Sequence, residues 1–204
     1  MNVAMLETLV AIVDRGSFAA AAREVGCDRH PDLQVEVSLA DSDELIAGVK
    51  AGRIDCAVLV RPASGGSTRL AWQDLARQPF VLLLPPGAPA APAPDLLQRF
   101  GLIRYDTALT GGRIAAQYVR RVFPQARIIM EVRSIDAIVA MVSAGLGVSI
   151  VPEPRQALLE AHGVRALGLG RGAPTRQIAA VRRRADAANR NIDALSQALA
   201  AAYR

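Results

Sequence analysis

The chain has 204 residues, a formal net charge of +5 and 51% hydrophobic residues. A chain of this length and apolar content can bury a stable core without disulfides or metals, which excludes a disordered protein. No apolar run approaches the roughly 20 residues that a membrane-spanning helix needs. Two isolated cysteines, Cys27 and Cys56, and an N-terminus without a basic leader predict a reduced protein of the cytoplasm.

The positive charge is almost entirely arginine, since Lys50 is the only lysine among 24 basic residues. This bias is more typical of genomic base composition than of phosphate binding. The stretch from Arg155 to Arg204 has nine arginines against three acidic residues. A phosphate-binding patch there and an ordinary solvated surface both remain open.

The N-terminal segment predicts two short helices. The apolar residues of Met5 to Val13 fall on one helical face, and Gly16 ends that helix. Ser17 is a suitable N-cap for a second helix over residues 18–25. The pair is either the opening of a helix-turn-helix or an ordinary helical hairpin.

From residue 33 onward, strands and helices alternate. The strands are predicted at 33–39, 54–60, 80–84, 102–105, 128–132, 148–151 and 177–182. The Pro- and Ala-rich stretch 85–94 is predicted to be a loop. Ser134 or Asp136 is expected to cap one of the intervening helices. This alternation predicts an α/β fold with parallel strands and right-handed crossovers.

Parallel strands also predict where a ligand binds, because loops and helix N-termini converge beyond the carboxyl ends of such strands. The candidate residues at these points are Asp41, Ser42, Arg61, Tyr105, Thr107, Ser134 and Ile135. Arg61 is the best candidate for an anionic ligand group, since a guanidinium can bind a carboxylate through two hydrogen bonds. The hydroxyls of Ser42, Thr107 and Ser134 are candidate donors.

Each of these residues also has a purely structural interpretation. Ser42 and Ser134 fit plain helix N-caps, and Asp41 fits a solvent-exposed acid. Tyr105 fits a packing residue, and Arg61 fits an ion pair with a nearby acid.

Three segments carry a resemblance to a known family. They are MLETLVAIVDRGSFAAAAREVG at the start, RHPDLQVEVSLADSDELIAGVKAGRIDCAVLVRP after it, and VRSIDAIVAMVSAGLGVSIVPE further on. Together they resemble the LysR-type transcriptional regulators, which join a winged helix-turn-helix to a two-lobed, periplasmic-binding-protein-like effector domain. The resemblance implies a partial helix-turn-helix at 1–28 and an effector-binding domain at 29–204. Lobe I is expected at 29–78 plus 163–204 and lobe II at 79–162, with the candidate residues lining the cleft between them.

The chain departs from the family pattern between positions 27 and 29. There the recognition helix, the wing, the linker helix and the first strand of the effector domain are expected to be missing. Bases are read by the recognition helix, so the chain is not expected to bind DNA unless a partner supplies the head. Ser17 and Arg23 are the candidate DNA contacts that remain. The missing strand would leave an unpaired edge beside strand 33–39, partly covered by the N-terminal helices.

The resemblance implies a LysR-family transcription regulator whose effector domain senses a small metabolite and pairs with LysR-type subunits. Arg61 indicates that this metabolite is anionic and carries a carboxylate. No cofactor and no metal are predicted. An enzyme is disfavoured, because the sequence has no nucleophile elbow, phosphate-binding glycine loop or metal cluster. A solute-binding protein and a decayed or mis-joined gene product without independent activity remain the alternatives.

Overall fold

The computed structural model describes residues 7–12, 34–62 and 67–202. The strands are β1 (Glu7–Ile12), β2 (Gln34–Leu39), β3 (Cys56–Val60), β4 (Leu70–Leu84), β5 (Leu102–Tyr105), β6 (Ile128–Val132), β7 (Ser149–Pro152), β8 (Arg165–Gly168) and β9 (Thr175–Arg183). The helices are α1 (Ser42–Ala51), α2 (Ala93–Arg99), α3 (Thr110–Val122), α4 (Ile135–Ser143), α5 (Gln156–His162) and α6 (Arg190–Ala202), with a 3₁₀ turn at Arg184–Asp186. None of the described helices combines the length and the apolar composition needed to cross a membrane.

The chain divides into two compact units. Each unit contains both strands and helices, in agreement with the predicted α/β class. Unit 1 comprises Met1–Arg77 and Gln177–Arg204, and unit 2 comprises Gln78–Arg176. The long strands β4 and β9 contribute residues to both units. The sequence-based lobe boundary near residue 162 falls before β8, which pairs with β4 inside unit 2.

Unit 1 is a sheet with a helix on each face. Its strands follow the order β2-β1-β3-β9-β4, with β1 parallel to both neighbours and β3 antiparallel to β9. Every residue of β3 is buried, because α6 covers one face of the sheet and α1 covers the other. A strand buried on both faces has no polar alternation, which explains its continuous apolar sequence.

The helix predicted for Met5–Val13 is wrong over Glu7–Ile12, which forms β1. This strand lies between β2 and β3 and fills the position where the sequence predicted a missing strand and an unpaired edge. A short apolar run that includes Val10 and Ile12 suits a buried strand as well as a helix, and periodicity alone cannot distinguish them. Pairing on both sides provides partners for the backbone N–H and C=O groups of β1, which decides the outcome. The second predicted helix, 18–25, lies outside the described residues.

Unit 2 is built around the second half of β4, which pairs antiparallel with both β7 and β8. Strand β5 pairs in parallel with β6, and a parallel bridge joins Leu102 to Val148 just before β7. One core cluster packs under α2 and α3, and the other packs under α4 and α5.

The helices α2 and α5 and the strand β8 are elements that the sequence did not predict. The prediction for β4 covered only its last residues.

Candidate functional site

In unit 1, two groups of candidate residues lie at one edge of the sheet. Strands β2 and β3 both run parallel to β1, and the same residue of β1, Ile12, stands opposite Leu39 and Val58. The loops after β2 and β3 therefore emerge on the same side, with Asp41 and Ser42 in one and Arg61 in the other. Their placement at the carboxyl ends of parallel strands is as the sequence predicted.

Arg61 makes local contacts at this edge. Its guanidinium lies 2.7 Å from the carboxylate of Asp74 and stacks over the Trp72 ring at 5.6 Å from the ring centroid. The pairing with a nearby acid, which the sequence left open, is therefore present. The Arg61 side chain remains 42% exposed, which leaves part of its surface accessible to a ligand. Asp41 is the exposed N-cap residue of α1, although its side chain makes no capping hydrogen bond, and Ser42 is half-buried in the first turn.

In unit 2, the parallel pair β5–β6 brings two loops and two helix N-termini together. Tyr105 and Val132 stand opposite each other at the ends of these strands. Thr107 follows the first strand and precedes α3, and Ser134 follows the second and caps α4. The Ser134 hydroxyl accepts a hydrogen bond from the Ala137 N–H at 3.3 Å, as expected for an N-cap. Ile135 begins α4 and packs against the core beneath it.

Glu131 is the first residue of this edge that the sequence reasoning missed. Its carboxylate accepts hydrogen bonds from the Thr107 backbone N–H at 2.8 Å and from the Thr107 hydroxyl at 3.0 Å, and it also pairs with Arg104. The Thr107 N–H, followed by Arg104 and the Thr107 hydroxyl, lowers the pKa of Glu131 to about 2. Because the Thr107 hydroxyl proton is already donated, this hydroxyl offers a ligand an acceptor rather than the predicted donor.

We predict that Glu131→Gln lowers the free energy of unfolding at pH 7 and that the difference from the parent chain becomes smaller as the pH falls. The pKa of Glu131 in the folded chain, about 2, is below its ordinary value of 4.5. Its stabilising effect is therefore fully present above about pH 4.5 and is lost as the pH falls toward 2. Urea unfolding between pH 7 and pH 3 measures this, with Glu153→Gln, an exposed glutamate of the same unit, as the control. A deficit that does not change with pH would contradict the prediction.

Arg176 is the second missed residue, and it is the most buried charged side chain of this edge, at 4% exposure. Its Nε donates to Gln78 Oε1 at 2.7 Å, and its guanidinium also hydrogen-bonds the Tyr105 hydroxyl. Gln78 in turn donates to the Glu153 carbonyl at 2.6 Å. A Cβ atom built on Gly111, in the first turn of α3, would lie 3.5 Å from the Arg176 guanidinium. The guanidinium is therefore fixed beside a helix N-terminus.

Tyr105 combines packing with hydrogen bonding. Its ring is 6% exposed and belongs to the core cluster under α4. Burial raises the pKa of its hydroxyl, and the neighbouring Arg176 opposes that rise. The packing interpretation is therefore correct for the ring, and the hydroxyl helps to hold Arg176. The candidate DNA contacts Ser17 and Arg23 lie outside the described residues.

The comparisons with known proteins agree with this architecture. The family model described as the LysR substrate binding domain matches residues 26–204. A mutant OxyR2 regulatory domain from Vibrio vulnificus aligns at 15% identity with a TM-score of 0.79, covering 99% of each chain. A Corynebacterium glutamicum OxyR mutant aligns at 17% identity with a TM-score of 0.75, covering 97% of this chain and 64% of the other. The effector binding domain of QuiR in complex with shikimate aligns at 14% identity with a TM-score of 0.79, covering 98% of each chain.

A search of curated proteins found no match. The structural alignments show a shared fold, and the family model spans most of the chain. The protein is therefore an α/β effector-binding domain of the type found in transcription regulators. It belongs to the LysR substrate-binding domain family, which confirms the resemblance seen in the sequence.

Proposed function

We propose that the chain is the effector-sensing part of a cytoplasmic LysR-type transcription regulator and that it binds a small carboxylate-bearing metabolite. The observation that carries the proposal is the buried Arg176 guanidinium, held by Gln78 and Tyr105 beside the first turn of α3. A fixed guanidinium and the N–H groups of a helix N-terminus both favour an anion. Because the guanidinium is already oriented before the ligand arrives, little conformational entropy is lost on binding.

The neighbouring polar groups suit a ligand that also carries hydroxyl groups. Thr107 offers an acceptor, and the first turn of α4 offers the N–H groups near Ser134 and Ile135. In unit 1, Arg61, the N-cap residue Asp41 and Ser42 in the first turn of α1 are also proposed as effector contacts. These assignments rest on the position of each residue at the carboxyl end of a parallel strand.

Shikimate is a suitable first probe, because the solved effector domain of QuiR holds it and because it is a hydroxylated carboxylate. Calorimetric titration of the full chain with shikimate and with other hydroxylated carboxylates tests the proposal. The methyl ester of each acid provides a neutral control of nearly the same shape. Binding of acids but not of their esters supports a carboxylate site, whereas equal binding of both would contradict it.

Arg61→Ala tests the contribution of unit 1. If Arg61 contacts the carboxylate, we expect its removal to weaken binding about tenfold, the usual effect of losing one charged hydrogen bond. Arg53→Ala, which removes an exposed arginine from the same unit, is the matched control. Equal affinities of the Arg61 and Arg53 variants would remove Arg61 from the site and leave Arg176 as the anion-binding residue.

Association with DNA and with other LysR-type subunits is a separate part of the proposal. DNA contact would involve Ser17 and Arg23, or a head supplied by the partner subunit. Analytical ultracentrifugation of the chain alone and mixed with a full-length LysR-type regulator tests the association. A chain that stays monomeric in both samples would contradict it.

A further inference from the structure

The net charge of the chain is concentrated in unit 2. Residues 78–176 contain 11 arginines, no lysine and 6 acidic residues, which gives +5, equal to the net charge of the whole sequence. The remaining residues therefore sum to zero. The basic stretch from Arg155 to Arg204 is divided between the two units, with residues 155–176 in unit 2 and residues 177–204 in unit 1. In that stretch Arg182 pairs with Asp193, and Arg183 pairs with Asp55 and Asp186.

Much of the charge of unit 2 lies at the C-terminal end of α3. Arg120 and Arg121 occupy its last turn, and Arg127 follows after a tight turn closed by backbone hydrogen bonds. The guanidinium of Arg121 lies over the Tyr118 ring and donates to the carbonyl of Gly172 at 3.4 Å, and Arg171 is the residue that precedes Gly172 in the chain. We define Arg120, Arg121, Arg127 and Arg171 as the arginine surface.

The arginine surface is exposed, and none of its four arginines forms an ion pair with another described residue. All four side chains are exposed. Within the described part of the chain, Arg104 pairs with Glu131 and Arg133 pairs with Asp106, and both pairs lie at the opposite end of strands β5 and β6. Like charges on one surface repel one another, and an anionic partner would relieve that repulsion.

We propose that the arginine surface binds the phosphate backbone of a nucleic acid. Guanidinium groups pair with phosphate through two parallel hydrogen bonds, and the four exposed guanidiniums, two on the last turn of α3 and two in the loops beyond it, can each contact a separate phosphate. A small anion would satisfy only one or two of them, whereas a nucleic acid presents regularly spaced charges. This surface is distinct from the edge of unit 2 where β5 and β6 end, because the first turn of α3 lies at that edge and its last turn lies at the arginine surface.

A protein partner is the alternative that the test must distinguish. Val122 and Ile128 are 43% and 47% exposed next to the arginine surface, and exposed apolar side chains of this size favour contact with a protein. An acidic polypeptide would then be the better ligand. The charge excess involves four residues and the apolar exposure only two, so we favour the nucleic acid.

The test is fluorescence anisotropy of a labelled 20-base-pair duplex of arbitrary sequence, titrated with the full chain at several salt concentrations. The variant carries Arg120→Ala, Arg121→Ala, Arg127→Ala and Arg171→Ala. The control carries Arg53→Ala, Arg155→Ala, Arg184→Ala and Arg190→Ala, which remove the same charge from exposed positions elsewhere. Circular dichroism establishes that both variants are folded. Poly-glutamate is titrated in parallel.

We expect the surface variant to bind the duplex at least tenfold more weakly and its logarithmic salt slope to fall by about 3, because up to four phosphate contacts are lost. The control should stay within about twofold of the unsubstituted chain, since it keeps those contacts. Equal weakening of both variants would show that duplex binding depends only on net charge and not on the position of the arginines, which would overturn the proposal. Absence of duplex binding, or tighter binding of poly-glutamate than of the duplex, would also overturn it.

Discussion

Gly112→Ala is expected to destabilise unit 2 by more than about 3 kcal/mol, near the upper end of what an overpacked site costs. A Cβ atom at Gly112 would lie 1.8 Å from the Asp106 carbonyl oxygen and 2.8 Å from that of Tyr105. Both atoms belong to the backbone that leaves β5, so neither can rotate away. The first turn of α3 would have to move away from the end of β5, and Arg176 would no longer lie beside that turn. For a protein of this size, the expected fall in melting temperature is on the order of 10 °C.

Gly168→Ala is the matched control, because a Cβ atom at Gly168 meets nothing within 4 Å. We expect its free energy of unfolding to remain within about 0.5 kcal/mol of the parent value. Urea unfolding followed by circular dichroism measures both variants. Equal stabilities of the two would show that α3 does not approach β5 as closely as described.

Arg176→Met is expected to abolish most of the binding of a carboxylate effector, with a loss of at least about 30-fold, corresponding to roughly 2 kcal/mol. Methionine keeps an unbranched apolar side chain of intermediate length but removes the charge and the hydrogen bonds to Gln78 and Tyr105. Calorimetry with the acid and its methyl ester separates ligand recognition from a general loss of structure. The variant should lose its preference for the acid over the ester.

Arg155→Met, an exposed arginine of the same unit, is the control for Arg176→Met and should keep the preference. Melting curves establish the folded fraction of each variant. An Arg176→Met chain that is folded and still prefers the acid would show that Arg176 has a structural role only.

The α/β class and most elements of unit 2 were predictable, because their patterns are local. Strands β5 and β6 occur exactly where their apolar runs predicted them, and Ser134 caps α4 as predicted. β1 was not predictable, because its sequence suits a helix and its strand state depends on pairing with β2 and β3. Membership of a sheet is a property of the neighbours as well as of the segment itself.

The candidate site was predictable as a set of loops but not as a set of interactions. The carboxyl ends of the parallel strands identified Thr107 and Ser134 by topology alone. The partners that determine the chemistry come from distant parts of the chain, with Glu131 24 residues from Thr107 and Gln78 98 residues from Arg176. In the sequence, Arg176 is one of many arginines, and nothing in the local pattern marks it as buried.

The central claim is that a carboxylate binds at the edge of unit 2 where β5 and β6 end. Nitrogen-15 NMR of the labelled chain during titration with shikimate tests it directly, with the methyl ester as the neutral control. We expect the acid to shift the backbone amides of residues 105–112 and 133–137 and the side-chain signal of Arg176, and the ester to leave them in place. Shifts confined to residues elsewhere in unit 2, or identical shifts with acid and ester, would contradict the claim.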